Sequence, residues 1–103
     1  MQQYDFIKKD DIRGFRPVMK DGKWGLIDKD NTGIILCILD EEPKLFNGFI
    51  LCKHEGKIGL VNLKGELVLP TIYLSIRDID DNGQVTLEYV DHLGRLQIGY
   101  TWL

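Results

Sequence analysis

Few residues in this chain could carry covalent or acid–base chemistry. The one serine is Ser75, the histidines are His54 and His92, and the cysteines are Cys37 and Cys52. Nucleophilic catalysis needs a nucleophile, a base and a group that orients the base. Here the histidines stand in unrelated contexts, His54 ahead of a turn and His92 inside one, where solvated side chains are expected. Glycosidic cleavage needs two placed carboxylates, but 16 acidic residues in 103 supply such pairs by chance. Cys52-Lys53-His54 offers two metal ligands at most, without the paired spacing of zinc sites. Both cysteines are flanked by aliphatics and read as small buried hydrophobes. Gly22-Lys23 lacks the upstream glycine and downstream hydroxyl residue of a phosphate-binding loop. Trp24 is either core or a ligand platform, and Tyr100 and Trp102 are candidates for exposed aromatics. The expectation is a non-enzymatic chain without cofactor or metal.

Charge narrows the partners. The net charge is −3 and the 13 basic residues are scattered, which disfavours binding to a nucleic-acid backbone. Two runs concentrate acid: Asp40-Glu41-Glu42 and Asp78-Ile79-Asp80-Asp81. They read as solvated loops or, more sharply, as a surface in which Asp40, Glu41, Glu42, Asp78, Asp80 and Asp81 face a basic partner protein. No apolar run approaches the roughly 18 residues of a membrane span. The Met1 to Phe6 stretch has no apolar core for a signal peptide, so a cytoplasmic location is expected.

The elements that must position these residues are strands. Alanine, the best helix former, is absent, while Val, Ile, Leu, Thr, Tyr, Phe and Trp fill the apolar positions. A shift of 34 residues lays Gly14-Phe15 on Gly48-Phe49, Gly22-Lys23 on Gly56-Lys57, Gly25-Leu26 on Gly59-Leu60 and Asp28 on Asn62; with a slip, Gly33 meets Gly65. Such a period marks one supersecondary unit per copy, stacked on its neighbours. Each unit reads strand, turn, strand, turn, strand: 15–20, 24–28 and 34–39, then 49–53, 58–63 and 66–69. Asp21-Gly22 and Glu55-Gly56 are hairpin turns, and Pro70, without an N–H, is expected to end its ladder. A degenerate third unit alternates Val85, Leu87 and Tyr89, then Leu96, Ile98, Tyr100 and Trp102, and predicts a hairpin with one wet and one apolar face. Its Gln97-Ile98-Gly99-Tyr100 lines up with Lys23-Trp24-Gly25-Leu26.

The in-strand glycines Gly25, Gly59 and Gly99 imply a neighbour occupying the missing Cβ volume, expected to be Phe15 or Phe49. Residues 40–47, with Pro43, read as a helical turn capped at Asn47-Gly48. Residues 71–82 read as a short strand and a turn, and 1–13 as a capping strand or short helix.

The string Lys20 to Asp28, KDGKWGLID, resembles the WG (KWG) repeat of many bacterial proteins. The second unit matches through Gly56-Lys57-Ile58-Gly59-Leu60-Val61-Asn62, Lys64-Gly65 and Leu67-Val68-Leu69-Pro70, then Pro70-Thr71-Ile72-Tyr73. It has Ile58 where Trp is usual, the first unit lacks the Pro-x-x-Tyr step, and the third keeps only the glycine. The resemblance implies a β-rich scaffold with no catalytic set to carry over. The expected architecture is a single all-β domain over 1–103, an antiparallel meander of about eight short strands. Its copies span about 14–47, 48–82 and 83–103, behind an N-terminal cap at 1–13, in an open twisted sheet or small barrel. The expected function is binding another protein, in its narrow form as a small inhibitor or immunity protein, with a structural or self-assembling unit as the alternative and a small-ligand carrier or enzyme a less favoured one. The oligomeric state stays open.

Overall fold

A computed structural model describes residues 4–9 and 12–103; part of the expected 1–13 cap thus lies outside the described residues. The chain is all-β and antiparallel. Sheet 1 contains β1 (Phe6–Ile7), β2 (Arg16–Lys20), β3 (Lys23–Ile27) and β4 (Gly33–Leu39). Sheet 2 contains β5 (Lys44–Phe46), β6 (Phe49–His54), β7 (Lys57–Val61) and β8 (Leu67–Tyr73). Sheet 3 contains β9 (Ser75–Ile79), β10 (Gln84–Val90) and β11 (Leu96–Trp102). Every strand pairs with its chain neighbour, and no sheet closes into a barrel. The described residues therefore hold eleven strands rather than eight.

Two kinds of turn build the meanders. In the dipeptides Arg13-Gly14, Asp21-Gly22, Asn47-Gly48 and Glu55-Gly56, both residues have positive φ. That is the type I′ geometry whose twist matches a hairpin. Asn47-Gly48 therefore joins β5 to β6, and the expected helical turn at 40–47 is replaced by a short strand and a hairpin. The second kind spans five residues and starts at Asp28, Asn62, Asp80 or Asp91. The side-chain Oδ1 accepts N–H groups two and four residues on, at 2.9–3.0 Å each time. The fourth residue is left-handed in every case: Asn31, Gly65, Gly83 or Gly94. Asp and Asn suit the first position because their short side chains reach the local backbone.

Sheets 1 and 2 keep the 34-residue spacing without a slip. Val18 faces Gly25 as Cys52 faces Gly59. Trp24 faces Leu39 as Ile58 faces Tyr73, and Leu26 faces Ile35 as Leu60 faces Leu69. Asn31, not Gly33, stands where Gly65 does. In both sheets the last strand is bulged, so that two steps along β3 or β7 face four along β4 or β8. Pro70 lies in the bulge of β8, an edge strand. No ladder hydrogen bond is needed there, so the strand continues past it to Tyr73.

The in-strand glycines are crowded by something other than Phe15 or Phe49. A Cβ on Gly25 would lie 2.8 Å from the Ile35 carbonyl oxygen and 2.9 Å from Cys37 Sγ. One on Gly59 would lie 2.7 Å from the Pro70 carbonyl carbon. The bulged backbone of the following strand fills the space. At Gly99 the intruder is a side chain, the Tyr89 ring edge at 2.9 Å, and among the described residues no strand crosses β11 as β4 crosses β3.

The sheets stack in series. Phe15, Leu26 and Leu39 of the first unit pack against Ile50, Cys52 and Val61. Leu60 and Leu69 pack against Ile76, Val85 and Leu87. Sheet 2 is therefore buried on both faces, which is why β6 opens as the unbroken apolar run Phe49-Ile50-Leu51-Cys52.

Replacing Gly59 or Gly25 with Ala forces backbone to move, and each change should cost about 1–3 kcal/mol. Gly99→Ala should cost less, since a tyrosine ring can rotate aside. Urea unfolding of the three variants checks this order; equal losses would mean the bulge crossing does not demand glycine.

Candidate protein-binding surfaces

The first acidic run is largely engaged within the chain. Asp40 follows β4 and accepts the N–H of Gly56 at 2.8 Å and of Glu55 at 3.2 Å, so both carboxylate oxygens cap the β6–β7 turn. Its carboxyl is held below the usual range, first by the Gly56 N–H, against partial desolvation, with Glu55, Lys23 and His54 adding to the lowering. Glu41 pairs with Lys53 at 3.1 Å and Glu42 with Lys8 at 2.6 Å. In the second run Asp80 ties the β9–β10 turn through the Asn82 and Gln84 N–H groups. Asp78 and Asp81 are exposed. No hydrogen bond or ion pair joins the two runs among the described residues. Asp5 repeats the Asp40 arrangement on a smaller scale, accepting the Asp21 N–H at 2.9 Å.

The nucleophiles and bases do not converge. His92 is exposed in the β10–β11 turn. The His54 ring Nδ1 lies 2.9 Å from the Ile38 carbonyl oxygen and ties sheet 2 to sheet 1. Ser75 donates to Glu88 at 2.5 Å. Burial pushes the Cys52 thiol up to about 12, and burial also raises that of Cys37. Both are free thiols. No cluster of three or more metal-ligating side chains occurs among the described residues, and none of their helices is long and apolar enough to cross a membrane. Trp24 is half-buried against the first core, its ring edge-on to Phe6 with centroids 6.2 Å apart.

Two apolar surfaces stand out in three dimensions, the second including Tyr100 and Trp102, which are exposed as their place in the sequence suggested. The first is a cleft of about 290 Å³ where the bulged strands β4 and β8 meet over the first core. Ile34, Leu36, Ile38 and Leu67 form its walls, with His54 and Thr71 as polar members. Leu36 and Leu67 are exposed by more than 60%.

The second surface is on β11 and reverses an expectation. Opposed residues of an antiparallel pair share a face. Leu87 opposes Gly99 and Val85 opposes Thr101, so the inward face of β11 is Gln97, Gly99 and Thr101. Leu96, Ile98, Tyr100 and Trp102 point outward, each at least half exposed. The alternation is real, but the apolar set of β11 lies on the opposite face from that of β10. The sequence alignment already held the signal: Tyr100 stands where Leu26 and Leu60 stand, on the face that each earlier unit buries under the next one.

No protein-family model, no curated protein and no solved structure matches the chain.

Asp40→Asn leaves a single acceptor for two turn N–H groups, and should lower the urea midpoint at pH 7. A carboxylate whose folded pKa is depressed stabilises above its unfolded value, about 3.9, and loses that contribution as pH falls through the folded value. The gap between wild type and variant should therefore narrow below about pH 4; an undiminished gap at pH 3 would show that the charge is immaterial. A disulfide reagent at pH 8 should modify Cys37 slowly and leave Cys52 untouched until the chain unfolds. Equal labelling of the two in the native protein would contradict the burial argument.

Proposed function

We propose that this chain is a WG-type repeat domain that binds another protein without catalysing a reaction on it. The observation that carries this reading is the cleft between β4 and β8. Its walls are aliphatic and open to solvent, and an exposed concave apolar surface is a general mark of an interaction site. Its volume, about 290 Å³, lies at the lower end of small-molecule pockets. That size suits one or two apolar side chains of a protein segment better than a separate ligand.

Charge describes the rest of the partner. Asp40, Glu41 and Glu42 follow the cleft residue Leu39 but are paired within the chain, whereas Glu55, exposed by 83% at its side chain, adjoins the cleft residue His54. A segment with a bulky apolar residue flanked by Lys or Arg would seat the first in the cleft and the second along this rim. Such rim charges speed and orient association more than they tighten it. An inhibitor or immunity protein that covers a basic toxin surface is the narrow form of this reading. A reducing compartment such as the cytoplasm suits Cys37 and Cys52, which stay unpaired.

Leu36 and Leu67 are exposed, so Leu36→Lys with Leu67→Lys should leave circular dichroism unchanged. Affinity purification from the source cell followed by mass spectrometry should recover a stoichiometric partner with the wild type, and at least tenfold less with the double variant. Recovery of no partner, or of the same partner in the same amount, would refute the cleft as the site.

A further inference from the structure

The six strands that end the three sheets differ in how they resist pairing with another chain. Unprotected edges invite such pairing, and proteins blunt them with short strands, bulges, Pro or charge. β1 has two residues and β5 has three, one of them Lys44. β4 and β8 are bulged, and β8 contains Pro70. β9 is bulged against β10 and carries Arg77 and Asp78. β11 has none of these devices. It is seven residues long, pairs with β10 without a break, and contains no charge and no proline.

The backbone polarity of β11 is fixed by its two ends. The Leu103 N–H donates to the Gly83 carbonyl at 2.8 Å, and the Asp91 N–H donates to the Arg95 carbonyl at 2.9 Å. Hydrogen-bonded pairs alternate along an antiparallel ladder. Odd-numbered residues of β11 therefore turn their N–H and C=O groups toward β10. Leu96, Ile98, Tyr100 and Trp102 turn theirs toward the open edge. The residues with outward apolar side chains are thus also the ones with backbone groups to offer. Glu88, opposite Ile98, accepts from Ser75 and lies 3.6 Å from Arg77, so its charge is engaged beside the patch.

We propose that β11 pairs antiparallel with β11 of a second copy of this chain, about a two-fold axis through Gly99. The register follows from the even-numbered edge. Centred on Gly99, Leu96 meets Trp102 of the second copy and Ile98 meets Tyr100, and each of the four outward residues finds a partner. Four such pairs exchange about eight backbone hydrogen bonds. Each places an aliphatic side chain beside an aromatic one, a favoured cross-strand combination. The two third sheets become one six-stranded sheet. A second copy suits this edge because the edge is its own complement: about Gly99 its four even-numbered residues, all uncharged, pair two with two. The dimer is isologous and closed, because it consumes the one unguarded edge among the described residues. It buries on the order of 1,000 Å² in total, near the lower limit for a specific interface, so association in the micromolar range is expected. This inference stands apart from the cleft reading and survives its failure.

Sedimentation equilibrium of the full chain across the micromolar range tests it. The mass should rise from 11.9 kDa to twice that value and no further. Ile98→Lys should abolish the rise without changing circular dichroism. For register, Ile98→Cys and Tyr100→Cys chains are mixed under oxidising conditions. The cross-linked species should be the heterodimer, several-fold over either homodimer. A wild-type mass that stays at the monomer value, growth into larger assemblies, dimerisation of Ile98→Lys, or equal cross-linking of all combinations would each overturn the proposal.

Discussion

At Gly25 and Gly59 the sheet surface must come close to bare backbone, because the strand that follows crosses directly above it. The carbonyls of Ile35 and Pro70 occupy the volume that any other residue would fill. This approach lets β4 and β8 take two extra residues while staying paired to β3 and β7. A bulge bends and twists the strand that carries it. Here it serves packing as well as protection of an edge. Leu39, beyond the bulge, joins the core shared with sheet 2, and Leu69, at the start of the second bulge, joins the core shared with sheet 3. A small residue inside a strand thus governs how one sheet hands the chain to the next.

The stack that results has an inside and two outsides. Sheet 2 contributes alternate residues to both cores: Ile50, Cys52 and Val61 to one, Leu60 and Leu69 to the other. Sheets 1 and 3 touch sheet 2 and bury their facing residues against it. Polar side chains are mostly committed to turns and to seams. Asp28, Asn62, Asp80 and Asp91 hold the backbone of their own turns, while Asp40, His54 and Glu42 tie one sheet to another. The exposed apolar surfaces lie in the β4–β8 cleft and on β11, and neither includes a residue of the acidic runs.

Much of this fold could be read from residue types. Asp-Gly and Glu-Gly between apolar runs located two hairpins, because positive φ at both centres admits few other pairs. The spacing of 34 aligned the sheets because each unit repeats the same pairing. Three features were less legible. The five-residue turns begin with Asp or Asn and reach their left-handed residue three positions later, but Asn31 does this without glycine, so Gly33 looked like the match. Pro70 reads as a terminator when the ladder is assumed regular, and the bulge is visible only once the two strands are paired. The facing of β11 was hidden because alternation fixes two faces without saying which one the core covers. The β4–β8 cleft was missed for a related reason. Exposed leucines carry no chemical signature in sequence, whereas runs of carboxylates do, even when Asp40 and Asp80 are spent on capping turns.

Pairing between chain neighbours alone has a kinetic meaning. All eight strand pairings join consecutive strands, seven of them through connections of two to five residues. Loop closure is therefore small at each step, and β proteins are usually slow because they lack this property. Sheet 1 is complete by residue 39 and sheet 2 by residue 73. The first core can form before residues 74–103 have left the ribosome, since chains leave it N-terminus first.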